Sequence, residues 1–71
     1  MNTIRPTDVG KRVSIQFYTS DGSRSEAVGT FERAEMSEGD VIVFVRKRDD
    51  SVVEVPMKRI RFGKVVGPPR A

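Results

Sequence analysis

Cysteine, histidine and leucine are all missing from this chain of 71 residues. Without cysteine there is no disulfide framework, and without either metal ligand no ordinary zinc site. Both staples of very small domains are therefore closed to it. The same absences exclude Ser-His-Asp and Cys-His catalytic arrangements. No run approaches the roughly 18 apolar residues of a membrane-spanning helix, and MNTIRPTDVGKR has no apolar leader segment. A soluble, unprocessed protein is expected, and a reducing cytoplasm is the natural compartment for a chain without cysteine. The glycines stand singly, at 10, 22, 29, 39, 63 and 67, so no Gly-rich loop is present to cradle a pyrophosphate.

What is present is β-branched. Valine and isoleucine number fifteen against three alanines, so strand-formers dominate and the fold is all-β. One domain fits in this length, and it buries only about 60% of the surface its unfolded chain exposes. Thirteen basic and ten acidic residues leave a net charge of +3. The signs are interleaved, which serves solubility; a dedicated nucleic-acid binder concentrates its positive charge more strongly.

The most informative stretch is Asp40–Pro56, DVIVFVRKRDDSVVEVP. Val41–Val45 are all apolar, a charged tip RKRDDS follows, and Val52, Val53 and Val55 return: an antiparallel hairpin. Its first strand, apolar on both faces, is expected to be the most buried, with Val43 facing the core. Before it, Met1–Pro6 reads as an unpaired lead and Asp8–Val9–Gly10 as a turn, with Val9 tucked inward. Arg12–Tyr18 alternates, placing Val13, Ile15 and Phe17 inside and Ser14, Gln16 and Tyr18 outside. Asp21-Gly22 marks a hairpin turn. The second strand, Arg24–Ala34, is anchored by Val28 and Phe31. Their spacing of three predicts a bulge or bend at Gly29. Helix is the competing reading for Glu26–Met36, weakened by Gly29 and Thr30. Glu35–Asp40 is a polar loop, Met57–Ile60 a single 3₁₀ turn, and Arg61–Val66 a last strand returning Phe62 and Val65 to the core. Gly67–Ala71 is a semi-stiff proline tail in the manner of a linker. The domain plan is a lead at 1–6, a barrel at 7–66 and a tail or linker at 67–71.

Five short strands, a long bent second strand and a 3₁₀ turn before the last strand describe a five-stranded SH3-like small barrel. OB and Sm-like barrels share much of the pattern, but no N-terminal helix of the Sm type is present. Read as a whole, Val9-Gly10-Lys11-Arg12-Val13, Gly29, Val53-Glu54-Val55-Pro56, Ile60 and Lys64-Val65-Val66-Gly67-Pro68-Pro69 resemble a specific domain. It is the SH3-like N-terminal domain of actinobacterial GNAT-type acetyltransferases. The resemblance covers nearly the whole chain, although the loops Thr19–Ser25 and Arg46–Ser51 are richer in charge. It implies an accessory, non-catalytic interaction module whose partner is a protein or an adjacent catalytic domain. No residue that would bind acetyl-coenzyme A falls within it, so neither catalysis nor a cofactor is expected.

Three groups of residues are candidates for a site. The basic strips Arg46, Lys47, Arg48 and Lys58, Arg59, Arg61, Lys64 could track phosphates, making a nucleic-acid-binding barrel the alternative function. Against that stands a solvated hairpin tip neutralised by Asp49 and Asp50. The tip is expected to adjoin the 3₁₀ turn, bringing Arg46, Arg48, Lys58 and Arg59 onto one surface. Among the aromatics Phe17, Tyr18, Phe44 and Phe62, alternation leaves Tyr18 as the residue of a peptide or base-stacking platform, with packing as the plainer reading. Glu32, Glu35, Glu38 and Asp40 read as a solvated acidic edge rather than an acid–base pair or a cation site. A third reading is self-association through exposed strand edges.

Overall fold

The computed structural model describes residues 5–69, apart from the side chains of Pro6, Pro68 and Pro69. It is all-β. The strands are β1 (Lys11–Tyr18), β2 (Arg24–Ser37), β3 (Asp40–Arg46), β4 (Val52–Pro56) and β5 (Ile60–Pro69). All neighbours are antiparallel, in the order β4-β3-β2-β1-β5. The sheet is not closed: β4 and β5 stand at its two ends. The expected 3₁₀ turn before the last strand is present at Met57–Arg59.

β2 organises the molecule. Its first half pairs with β1 (Ala27 opposite Ile15) and its second half with β3 (Ala34 opposite Val43). The sheet therefore has two halves, β2–β1–β5 and β2–β3–β4, and one core receives apolar side chains from both. Val13, Ile15, Ala27 and Phe31 meet Val43, Val45 and Val55 there, all essentially without solvent contact. Phe17, Val53, Met57 and Ile60 pack around the rim. Val43 is more buried than Ile42 and Phe44, as its register requires. The outer side of β3 is only half-buried, so this strand is covered fully on one face, not two.

Alternation along β2 is unbroken where a break is expected. Ala27 and Phe31 are the buried anchors with Gly29 in phase between them, and Val28 points outward, opposite Ser14. The irregularity falls later, between Phe31 and Arg33, where Glu32 is the extra residue. Gly29 is needed for closeness. A Cβ on it would collide with the Arg46 carbonyl group, its carbon at 2.9 Å, because the end of β3 passes directly over this point.

Further expectations change. Phe62 is not in the core: a register shift beside Phe17 lets Ile60 take the inner position, and Gly63 faces Ile15. Phe62 is thereby placed outside, opposite Gln16; Val65 keeps the inner phase opposite Val13 but stays over a third exposed. Val9 is half exposed rather than tucked in. The Glu35–Asp40 loop shrinks to the two-residue turn Glu38–Gly39, both at positive φ, because the strands continue to Ser37 and resume at Asp40. Pro6–Asp8 is a 3₁₀ turn, not a slack lead; residues 1–4 lie outside the described residues. Residues 67–69 are likewise strand rather than tail, with Gly67 opposite Arg12 and Pro69 opposite Lys11, and only 70 and 71 lie outside the described residues.

Candidate functional site

Directly paired residues share a face, so the register sorts the side chains. On the outer face of the β2–β1–β5 half, rows run Arg24–Tyr18, then Glu26–Gln16–Phe62, then Val28–Ser14–Lys64, then Thr30–Arg12–Gly67. Tyr18, Val28, Phe62 and Val66 are all exposed on this half. Each is only about two-fifths exposed, and they stand in different rows on three strands, beside cations.

At the Arg12 end the face deepens into a groove of about 780 Å³ between β1, β2, β5 and the tip of the β3–β4 hairpin. Arg12, Arg46, Arg48 and Lys64 bring charge to it, and Ser14 and Thr30 bring hydroxyls. No carboxylate is among the described residues that line it. Arg12, Arg48 and Lys64 make no salt bridge among the described residues.

Arg46 is different. Its Nε and Nη2 donate to the two carboxylate oxygens of Glu32, the second at 3.1 Å, and its Nη1 donates to the Asp50 carbonyl at 2.8 Å. Three of its N–H groups are engaged in this way, so Arg46 positions the hairpin tip, with its remaining Nη N–H groups outside these bonds. The hydrogen bond from Arg46, aided by its charge, holds the Glu32 carboxyl below its ordinary range and raises Arg46 in return. The bulge at Glu32 is what makes this pairing possible.

The hairpin tip is built by its own acids. Ser51 donates its N–H (3.0 Å) and hydroxyl (2.6 Å) to Asp49, which lowers the Asp49 pKa, and Asp50 adopts a positive φ. Neither acid forms a salt bridge with Lys47 or Arg48 among the described residues. Their charges are still felt at the tip, where Lys47 helps to lower Asp49 and Asp50 helps to raise Arg46.

The expected surface does not hold together as drawn. Arg46 pairs with Val52 at the tip, whereas Ile42 pairs with Pro56 just before Met57–Arg59. The 3₁₀ turn is therefore at the base of the hairpin, about 13 Å along β4 from the tip. Lys58 and Arg59 belong to the other end of the molecule, near Tyr18, because Ile60 follows them and pairs with Phe17. Arg61 sits there too, donating to Gln16 Oε1 at 3.0 Å. Lys64 does join Arg48, and Lys47 begins the tip turn, its N–H donating to the Ser51 carbonyl. Sequence reasoning passed over Arg12, although its phase with Ser14, Gln16 and Tyr18 already put it on the wet face.

The aromatics divide similarly. Phe17 packs against the core and Tyr18 is exposed, as alternation requires. Phe44 lies under the Arg33 guanidinium, 4.0 Å from the ring centre, so it is covered. Phe62 is not covered, and it joins Tyr18 outside. Glu32 and Glu35 are held by Arg33, and Asp40 accepts the Val41 N–H at 2.8 Å. No cluster of acidic side chains able to hold a metal occurs among the described residues. Nor is any helix there long and apolar enough to cross a membrane.

No protein-family model, no curated protein and no solved structure matches this chain.

Proposed function

We propose that this chain is a non-catalytic recognition module on an SH3-like barrel, and that it binds an anionic partner in the groove beside Arg12, Arg48 and Lys64. The topology supports the barrel reading: one long strand shared by two halves of the sheet, with a 3₁₀ turn before the last strand, is the plan of such small barrels. The resemblance to the N-terminal domain of GNAT-type acetyltransferases supports an accessory rather than catalytic role. So does the chain's chemistry, which has neither histidine nor cysteine.

The observation that carries the proposal is the groove itself. Three cations without carboxylate partners converge on a hollow that no acid lines. Such an arrangement raises the local concentration of anions and gives them direct donors. Calorimetric titration with inorganic polyphosphate at low salt is the test. Binding is expected to weaken steeply as salt rises, and to weaken further in R12Q and K64Q. R33Q removes the same charge from the other half and should bind as the parent does. No binding at low salt, or an equal loss in R33Q, would overturn the proposal. Acetyl-coenzyme A, itself a polyanion, should bind no more tightly than polyphosphate does and should lose that binding as salt rises in the same way.

A further inference from the structure

The outer face beyond the groove makes the anion more specific. Tyr18 and Phe62 are both exposed there. Phe62 stands opposite Gln16, and Tyr18 is two residues further along β1 on the same face, across the register shift between Gln16 and Phe17. Two rings on neighbouring strands of one face can each take a base of an unpaired strand. From these rings the same face runs through Ser14 and Lys64 to Arg12 and the groove, about 20 Å along β1. One end offers stacking surfaces and the other phosphate donors.

Resting on the proposed recognition role, we infer that the partner is a single-stranded nucleic acid laid along the β2–β1–β5 face. Its bases stack on Phe62 and Tyr18, and its phosphates meet Lys64, Arg12 and Arg48. The net charge of +3 does not announce this, because the acids that dilute it are mostly elsewhere. Glu32 and Glu35 are paired with arginines, Asp8 with Lys11, and Asp49 is turned to Ser51. Glu26, opposite Gln16, is the one carboxylate on the face itself. An acidic peptide uses the rings only where it also carries proline or aromatic residues. A duplex presents phosphates without free bases. A single strand of any sequence brings a base and a phosphate with every nucleotide and so uses both ends of the face.

The chain supplies its own reporter, since Tyr18 is its single tyrosine and there is no tryptophan. The intact protein is titrated with oligothymidylate, with the matching duplex, with inorganic polyphosphate and with polyglutamate, following both affinity and Tyr18 fluorescence. Oligothymidylate is expected to bind tightest and to quench Tyr18, while polyphosphate binds without quenching. F62A and Y18A should each weaken oligothymidylate binding about fivefold or more and leave polyphosphate binding unchanged. F62W should bind as the parent does. The slope of log affinity against log salt should be about −2 for three phosphate contacts, and shallower by about 0.7 in K64Q. Thermal melts of the variants confirm that each is folded. The inference is overturned if duplex or polyglutamate binds as tightly as the single strand, or if both ring variants bind it normally. In those outcomes, retained polyphosphate binding leaves the recognition module standing. Loss of polyphosphate binding as well removes both.

Discussion

Phe44 and Phe62 are two phenylalanines on outer faces, one in each half of the same sheet, and they are treated oppositely. Phe44, on the β2–β3–β4 half, lies beneath Arg33, whose guanidinium is itself held by Glu32 and Glu35. Arg46 in that half is bonded to Glu32 and to the Asp50 carbonyl. Phe62, on the β2–β1–β5 half, is uncovered, and the nearby Lys64 and Arg12 have no carboxylate partner among the described residues. Internal pairing engages the arginines of one face, although Met36 and Val52 stay exposed in that half. On the other, Arg12, Lys64 and the rings are left to water or to a partner, and the proposed role rests on that difference.

The comparison is broken most severely at the junction of the halves. Gly29→Ala pushes a methyl group into the Arg46 backbone, which cannot move aside as a side chain can. It should cost about 2–3 kcal/mol and lower the melting temperature clearly. An unchanged melt would mean that the two halves are not packed this closely. Within the halves, the inner and outer faces should respond differently to the same deletion. Val43→Ala is expected to cost about 1–3 kcal/mol through lost burial and a residual cavity. Val28→Ala, on the outer face, should stay within about 0.5 kcal/mol in the same denaturant titration. Equal effects would put Val28 in the core and remove the outer face as described.

Much of this was readable beforehand, and the failures have definite causes. The alternation of Val13, Ile15 and Phe17 fixed both faces of β1, and the Val43 register followed from the apolar run of β3. Gly29 stands out in the sequence as a bulge, a bend or a close backbone approach; the close approach is found there, and the bulge falls at Glu32 instead. Val28 was taken as an anchor for its size, whereas small Ala27 fills the inner site opposite Ile15. A buried alanine leaves little trace in a hydropathy pattern. Phe62 was misplaced because a register shift beside Phe17 inverts the phase of β5, and bulges have no strong sequence signature. The groove was half legible. Arg48 and Lys64 stood out as charge, but their convergence with Arg12 depends on three strands whose neighbours are far apart in sequence. The pairing of Arg46 with Glu32, fourteen residues apart, was likewise invisible.

A smaller effect separates stability from binding. The Thr19 hydroxyl, with the Ser23 N–H at 3.0 Å, holds the Asp21 carboxyl down from its ordinary 3.8 to about 2. The backbone N–H of Arg5, then Lys11, lowers Asp8 as well. A carboxyl depressed by folding contributes stability that is complete above its unfolded pKa and is lost as pH falls through the folded one. Acid should therefore weaken the fold below about pH 4, and Asp21→Asn should flatten that limb of the curve through about pH 2 in pH-dependent melts. Neither carboxyl lines the groove, so polyphosphate binding should outlast the first loss of stability. A parallel decline of both would tie the groove to the Thr19–Ser23 turn.

The most direct test of the asymmetry is a residue-by-residue map. The isotopically labelled chain is titrated with oligothymidylate at low salt, and backbone amide shifts are followed. Shifts are expected to gather on Arg12, Ser14, Gln16, Tyr18, Phe62 and Lys64, with Arg33, Phe44 and Glu54 unmoved. Shifts centred on Arg33, Phe44 and Glu54 would contradict the account, because they would place the working surface on the face whose charges are already paired.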